Sequence, residues 1–232
     1  MKQWFKGENS GQTYLILNFE ISSYCNADCP SCFRTHRKEL ITPFKHLSVE
    51  DFESLILNNI NFFKYHTLDS KYEFLTARFC GEIGDPLISP QLEDLIRIAE
   101  TVFDKIDIFT NGGMRSPNWF KKILSHNKKT HFVFGIDGLT DEMNQIYRVK
   151  VKTDLAFKNM IESAKHRYTR WDYTIFNHNF HELKDVIGFS KTNGINLQCR
   201  FNGREFHKID DKHLKECEEL LLKNDVRYYI CK

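Results

Sequence analysis

The sequence is marked first by what it lacks. None of its 232 residues fall in an apolar run long enough to cross a bilayer, and the N-terminus has no apolar h-region of a secretory signal. Its seven cysteines are an odd number, which argues against a disulfide framework. A net charge of +2 without a clustered basic patch makes a nucleic-acid partner unlikely. These absences predict a cytoplasmic protein with reduced thiols and no membrane association.

What the sequence does contain is a repeated alternation of strand-like and helix-like segments. Apolar residues make up 41% of the chain and include 20 phenylalanines, so a large aromatic core can be buried. Helical spacing of apolar residues follows each β-rich run. Six such units predict an α/β fold, an open partial (β/α)6 TIM-like barrel with parallel strands. The predicted strands are Tyr14–Ile21, Glu73–Cys80, Lys105–Thr110, Thr130–Ile136, Trp171–Phe176 and Asn196–Phe201.

Three cysteines follow the first predicted strand. Cys25, Cys29 and Cys32 have the spacing C-x3-C-x2-C. Three thiolates can hold three irons of a 4Fe–4S cluster and leave the fourth iron open to a small molecule, whereas most electron-transfer clusters use four cysteines. The spacing therefore favours an enzyme over an electron carrier. A structural zinc site is the rival interpretation, because His36 could complete a tetrahedral shell.

Polar and glycine-containing motifs follow the next predicted strands, at the end where parallel-sheet enzymes carry their chemistry. Each motif alone is compatible with an ordinary turn. Their succession after consecutive strands indicates one shared site with the cysteine loop, which a structural zinc would leave unexplained. The motifs are Gly84-Asp85-Pro86, Thr110-Asn111-Gly112, and Asp137-Gly138 with Arg148.

The cysteine loop and these motifs resemble the radical S-adenosylmethionine (radical SAM) superfamily. The resemblance covers roughly residues 14 to 201. Within the superfamily, the chain resembles in particular the branch with a SPASM or twitch extension, which includes peptide and sulfatase maturases. It implies two cofactors, a 4Fe–4S cluster on the three cysteines and SAM. In such a site Asp85 would accept a hydrogen bond from the SAM ammonium, and Arg148 would bind the carboxylate. The implied SAM-binding residues are Gly84, Asp85, Thr110, Asn111, Gly112, Asp137, Arg148 and Asn179.

Three positions depart from the family pattern. Ser31 precedes the third cysteine, where relatives usually have an aromatic residue. Asp85 replaces a glutamate and is one methylene shorter, and Gly135 stands where relatives often have serine. The short basic run 34–38, beside the cysteines, is expected to be a solvated loop.

The resemblance implies an enzyme in which reductive cleavage of SAM gives a 5′-deoxyadenosyl radical that abstracts hydrogen from a substrate. It favours a peptide or protein side chain as substrate and a reductant such as flavodoxin or ferredoxin as partner. A nucleoside or other small metabolite is the alternative substrate. A noncatalytic scaffold that binds a cluster or zinc is the alternative of another class. His181, Glu205 and His207 lie near strand ends and could serve substrate binding or proton transfer, although exposed loop residues are the simpler interpretation.

The C-terminal part of the sequence predicts a division of the chain. Residues 1–205 would form the barrel, and residues 206–232 a helix and tail that resemble the start of a SPASM- or twitch-like extension. This tail has two cysteines, Cys217 and Cys231, too few for an auxiliary cluster, so we expect that domain to be lacking, in a minimal or truncated form. Cys80 and Cys199 lie in apolar segments and are expected to be buried.

Overall fold

The chain forms a single curled sheet of seven parallel strands in a computed structural model. The structure describes residues 14–63, 74–80, 83–202 and 206–230. The strands lie in the sheet in chain order, and each pairs in parallel with the next. They are β1 (Tyr14–Glu20), β2 (Phe74–Cys80), β3 (Lys105–Thr110), β4 (Thr130–Gly135), β5 (Thr169–Ile175), β6 (Asn196–Phe201) and β7 (Arg227–Ile230). The first six confirm the predicted α/β partial barrel.

Helices connect successive strands, as parallel pairing requires. Short 3₁₀ turns lie at Lys38–Leu40, Pro86–Ile88 and Phe180–Glu182. Within the described ranges no helix is long and apolar enough to cross a membrane. The helices are α1 (Phe33–His36), α2 (Val49–Asn58), α3 (Leu92–Val102), α4 (Pro117–His126), α5 (Asp141–Asn144), α6 (Thr153–His166), α7 (Leu183–Thr192) and α8 (Asp211–Lys223).

Local sequence signals set several helix ends. The hydroxyl of Ser48 accepts a hydrogen bond of 3.0 Å from the backbone N–H of Asp51, which caps α2 where the sequence predicts. At the other end of a helix, Gly194 follows α7 with φ +63°, the left-handed conformation that commonly ends helices. These caps fix where each crossover turns back toward the sheet.

The convex face of the sheet carries the aromatic core. Phe19 of β1 packs edge-on against Phe52 of α2, with ring centroids 5.2 Å apart. In the middle of the sheet Phe120 of α4 lies 4.8 Å from Phe132 of β4, and both are fully buried. Since side chains alternate along a strand, the residues between these core positions point to the concave face. The predicted aromatic core therefore lies on the helix-covered side.

The seventh strand is an addition to the predicted fold. β7 pairs with β6, and Tyr228 packs edge-on against Phe201. A four-residue strand gives too short an alternation to be recognised from sequence. The division after residue 205 stays a prediction.

The cysteines outside the predicted cluster loop behave as expected where they are described. Cys80, Cys199 and Cys217 are buried, with exposed fractions of 6%, 0% and 3%. Burial raises the pKa of each of the two thiols on β6 and α8, that of Cys217 to about 11, which keeps both neutral. Cys231 lies outside the described residues.

Candidate cofactor site at the carboxyl edge of the sheet

The cysteine loop follows β1 and lies against the loop that follows β2. The backbone N–H of Asp85 donates to the carbonyl oxygen of Tyr24 at 2.8 Å. A Cβ atom at Gly84 would lie 1.9 Å from the carbonyl oxygen of Ser22, so only glycine allows this approach. The predicted contact between the two loops is therefore made by backbone, and it depends on Gly84.

The structure brings two of the predicted SAM-binding residues to the cysteines. The amide Nδ2 of Asn111 lies 3.8 Å from Sγ of Cys25, and the guanidinium Nη1 of Arg148 lies 4.0 Å from Sγ of Cys29. Cys29 is buried, whereas Cys25 and Cys32 are half-buried. A residue from the loop after β3 and one from the turn after α5 thus lie beside two of the three sulfurs.

Burial favours the neutral form of two thiols in the cysteine loop. Burial raises the pKa of Cys25 to about 12, and the nearby Asp85 carboxylate adds to the effect. Burial also raises the pKa of Cys29, against the opposing charge of Arg148. Without metal these two thiols are protonated, and binding of iron would release their protons.

A cluster and a single ion make different demands on this loop. In the described part of the chain, no three His, Cys, Asp or Glu side chains are placed to hold one metal ion. Each thiolate of a cluster binds a different iron, so its sulfurs need not converge on one point. The ring of His36, the fourth ligand of the zinc interpretation, contacts the carbonyl oxygen of Pro30. The soft, partly desolvated thiols beside Asn111 and Arg148 fit a cluster.

Asp85 joins the loops after β2 and β3. Its carboxylate accepts hydrogen bonds from the hydroxyl of Thr110 at 2.9 Å, from the N–H of Asn111 at 2.8 Å and from the N–H of Leu87 at 3.0 Å. Its exposed fraction is 3%. Burial raises the pKa of Asp85, and these hydrogen bonds oppose the rise. The carboxylate is thus engaged within the protein, and its predicted contact with SAM would be an additional one.

The buried Asp137, just after β4, forms an ion pair with the half-buried Arg148, which follows α5. The guanidinium Nε of Arg148 donates to Asp137 at 2.6 Å, and the other carboxylate oxygen accepts from the N–H of Thr174 at 2.7 Å. Burial opposes the charge of Arg148, but Asp137 and Cys29 outweigh it and raise the pKa of Arg148. The arginine therefore stays charged, with its remaining N–H groups beside the cysteine loop.

The glycine that departs from the family pattern makes room for this arginine. A Cβ atom at Gly135 would lie 2.7 Å from Nη2 of Arg148. A serine at this position would push the guanidinium aside. The observed position of Arg148 therefore depends on the absence of a side chain at Gly135.

Asn179 has a fully internal side chain. Its Nδ2 donates to the carbonyl oxygens of Asp137 at 2.8 Å and Thr174 at 2.9 Å, while Oδ1 accepts from the N–H of Phe176 at 2.8 Å. It is completely buried. Asn179 thus ties the end of β4 to the end of β5, and a contact with a cofactor stays a prediction. Gly112, in the loop after β3, has φ +75° and packs beside Phe134.

One residue of the basic run corrects its interpretation as a solvated loop. Arg34 is buried and donates to the carbonyl oxygen of Ala27, and it pairs with Asp28 at 2.9 Å. Thr35 donates to the carbonyl oxygen of Cys29 at 3.0 Å. These residues fix the cysteine loop from inside, because its backbone has few partners in the sheet. The other residues of the run are exposed.

Two histidines lie at the ends of β5 and β6. Their Nδ1 atoms, in His178 and His207, are 3.1 Å apart, and the ring of His178 stacks on Phe176. Burial lowers the pKa of His178 to about 4, and the charge of His207 adds to the effect. His178 has no motif that marks it in the sequence. Of the sequence candidates, His181 and His207 are exposed, and Glu205 lies outside the described residues.

Sequence comparison finds similarity to two curated enzymes. No protein-family model matches the chain. Over 116 residues it is 29% identical to an S-adenosylmethionine-dependent nucleotide dehydratase of Pseudoalteromonas ulvae, covering 48% of this chain and 37% of that protein. Over 225 residues it is 25% identical to a 7,8-dihydro-6-hydroxymethylpterin dimethyltransferase of Methanocaldococcus jannaschii, covering 90% of this chain and 40% of that protein. The chain thus spans well under half the length of these relatives.

The fold has close counterparts among solved structures. SuiB of Streptococcus suis, solved with its precursor peptide SuiA, superposes with a TM-score of 0.68 at 16% identity, over 95% of this chain and 49% of SuiB. SuiB has also been solved with S-adenosylmethionine, and that structure gives a TM-score of 0.66. The chain therefore shares the fold of SuiB, and this fold is the partial barrel that the resemblance of the cysteine loop predicts.

Proposed function

We propose that the chain is a radical SAM enzyme domain whose cluster is held by Cys25, Cys29 and Cys32. The observation that carries this proposal is the meeting of the cysteine loop with Asn111 and Arg148, both within 4.0 Å of a cysteine sulfur. When bound, a reduced cluster and SAM would supply a 5′-deoxyadenosyl radical that removes a hydrogen atom from a substrate. A flavodoxin or ferredoxin is the class of protein that would deliver the electron.

The protein's own residues would bind and orient SAM. Arg148 offers its free N–H groups to the SAM carboxylate while Asp137 fixes its Nε. Asp85, with Thr110 and Asn111, sets the position of the loops that receive the amino group. Gly84 and Gly112 keep the backbone close enough for these contacts. Water is kept from the inner side of the site by buried residues of the cysteine loop.

Two substrate classes follow from the similarities. A peptide or protein side chain is supported by the fold shared with SuiB, which was solved with a precursor peptide. A small metabolite is supported by the two relatives, whose names give a nucleotide and a pterin as substrates. A noncatalytic scaffold would bind the same cofactors without turnover.

Formation of 5′-deoxyadenosine tests the proposal. The protein would be reconstituted anaerobically with iron and sulfide, reduced with dithionite and supplied with SAM, and the product would be quantified by chromatography. We expect 5′-deoxyadenosine from the wild-type protein and from Cys217→Ala, whose thiol is buried in α8, but not from Cys29→Ala. Equal product from both variants would reject the cluster ligands. A stable cluster that never cleaves SAM would favour the scaffold.

A further inference from the structure

The concave face of the half-barrel is charged, and its charges are unbalanced. Among the residues that the structure describes, those that alternate with the core positions include five cations and three carboxylates, a surplus of two positive charges. One member of each sign lies on an outer strand, and the others lie on β2, β3, β5 and β6. The cations are Arg78, Lys105, Arg170, Arg200 and Arg227, and the carboxylates are Glu20, Asp107 and Asp172.

The carboxylates of the middle strands are already engaged. Asp172 accepts from Nε of Arg170 at 2.7 Å and from Nη2 of Arg200 at 3.1 Å, so one anion serves two guanidinium groups. Asp107 pairs with Lys105 at 3.1 Å. Each carboxylate thus has its partners, and the positive surplus remains on the arginines.

Arg78 carries the clearest part of this surplus. Its guanidinium lies over the ring of Phe109, 5.0 Å from the centroid. Among the described residues it has no carboxylate partner, and its Nε is buried without a hydrogen bond. The guanidinium of Arg170 lies 5.3 Å from the same ring. A buried donor without a partner is costly, so Arg78 is suited to an acceptor from a ligand.

SAM does not match this surplus. It carries an ammonium, a sulfonium and one carboxylate, so its net charge is positive, and a cationic concavity disfavours it. The carboxylate has its own partner in Arg148. The arginines of the concave face therefore suit a second ligand, with at least two negative charges. Guanidinium groups bind phosphate oxygens in a bidentate manner, and three arginines of this face, on β2, β5 and β6, could do so.

We propose that the concave face binds a phosphate-bearing small-molecule substrate through Arg78, Arg170 and Arg200. This inference rests on the proposed radical SAM function and chooses the small-metabolite class of substrate over the peptide class. Phosphate held on the strands would place the remainder of the molecule toward the carboxyl edge, where the cysteine loop lies. Arg200, with 37% of its side chain exposed, would be the first group that an entering phosphate meets.

Titration calorimetry of the reconstituted, SAM-loaded protein tests the inference, with UTP as the probe and uridine as its phosphate-free counterpart. We expect UTP to bind with a dissociation constant that rises with salt, and uridine not to bind. Arg78→Gln and Arg200→Gln should each weaken UTP binding by about tenfold or more. Arg97→Gln removes the same charge from the exposed side of α3 and should leave binding unchanged.

Each outcome decides one question. Absence of UTP binding, or equal affinity in Arg78→Gln, Arg200→Gln and Arg97→Gln, would overturn the phosphate site. Tight binding of an acidic peptide in place of UTP would overturn the choice of a small molecule. Circular dichroism confirms that each variant is folded, and Arg78→Lys should recover part of the affinity. If the protein forms 5′-deoxyadenosine but does not bind UTP, only the phosphate site is refuted. If it binds UTP but forms no 5′-deoxyadenosine, only the radical SAM function is refuted.

Discussion

The two faces of the sheet are built from different chemistry. The convex face carries fully buried aromatic side chains, such as Phe120 and Phe132, that pack against helices. The concave face carries half-buried arginines and the buried carboxylates of Asp107 and Asp172, and the ring of Phe109 on this face contacts guanidinium groups. One set of strands therefore separates two tasks: one face supplies the hydrophobic stabilisation of the fold, and the other leaves polar groups for ligands.

Truncation of one phenylalanine on each side gives the largest expected contrast. Phe120→Ala should lower the free energy of unfolding by about 3–5 kcal/mol, because it leaves a cavity among buried rings. Phe109→Ala should cost about 1 kcal/mol, since its half-buried ring mainly contacts charged groups. Urea denaturation measures both. Similar losses would show that the concave face also carries the stability of the fold.

Two glycines extend the comparison to the carboxyl edge. Gly84→Ala should lower the free energy of unfolding by about 3 kcal/mol and reduce iron incorporation, because its Cβ would meet the carbonyl oxygen of Ser22. Gly188→Ala, in α7, meets no atom within 4 Å and should stabilise the protein by about 0.5–1 kcal/mol. Denaturation curves and iron content check the pair. Full iron content in Gly84→Ala would contradict the loop contact.

The buried carboxylate at this edge should matter less for stability than the backbone contact. Asp85→Asn keeps the shape but replaces an acceptor by an amide, and we expect a loss of about 1–2 kcal/mol together with weaker SAM binding. The exposed Asp94 of α3 provides the matched change, and Asp94→Asn should alter neither. Unchanged SAM affinity in Asp85→Asn would reduce Asp85 to a positioning role between the two loops.

The smallest expected effect is the contribution of His178, after β5, to the pH dependence of the free energy of unfolding. The pKa of His178 is lowered to about 4 by burial, from 6.5 in the unfolded chain, so the unfolded state binds more protons between these values. The contribution of His178 to stability is therefore present above pH 6.5 and is lost as the pH falls toward 4. His178→Gln should flatten the stability profile in that window. NMR titration of the ring near 6.5 would contradict the assignment.

Strands and helices were predictable because their patterns are local. Alternation and helical spacing locate six strands, and Ser48 and Gly194 mark helix ends. The short β7 escapes such patterns because its stability comes from pairing with β6 and from Tyr228 on Phe201. An element with a clear local pattern is therefore easier to predict from the sequence than a short strand that is stabilised mainly by its neighbour.

The sequence predicts which residues form the candidate site but not the hydrogen bonds and packing contacts between them. The cysteine spacing and strand-end motifs predict which residues form the site, and their binding of a cluster and SAM stays a prediction. The hydrogen bonds of Asp85 with Thr110 and Asn111 depend on loop backbone that no motif shows. Burial of Arg34 follows from its reach under the cysteine loop, which no local pattern shows. The room that Gly135 leaves for Arg148 likewise joins residues from a strand and a distant turn.

Metal content with spectroscopy tests the central claim most directly, that the cysteine loop and its neighbours hold a cluster with a site for SAM. The reconstituted protein should contain about four irons and four sulfides per chain. Addition of SAM should change the electron paramagnetic resonance spectrum of the reduced cluster, because SAM binds the open iron. About one zinc per chain in place of iron, or a four-iron spectrum that SAM leaves unchanged, would contradict the account.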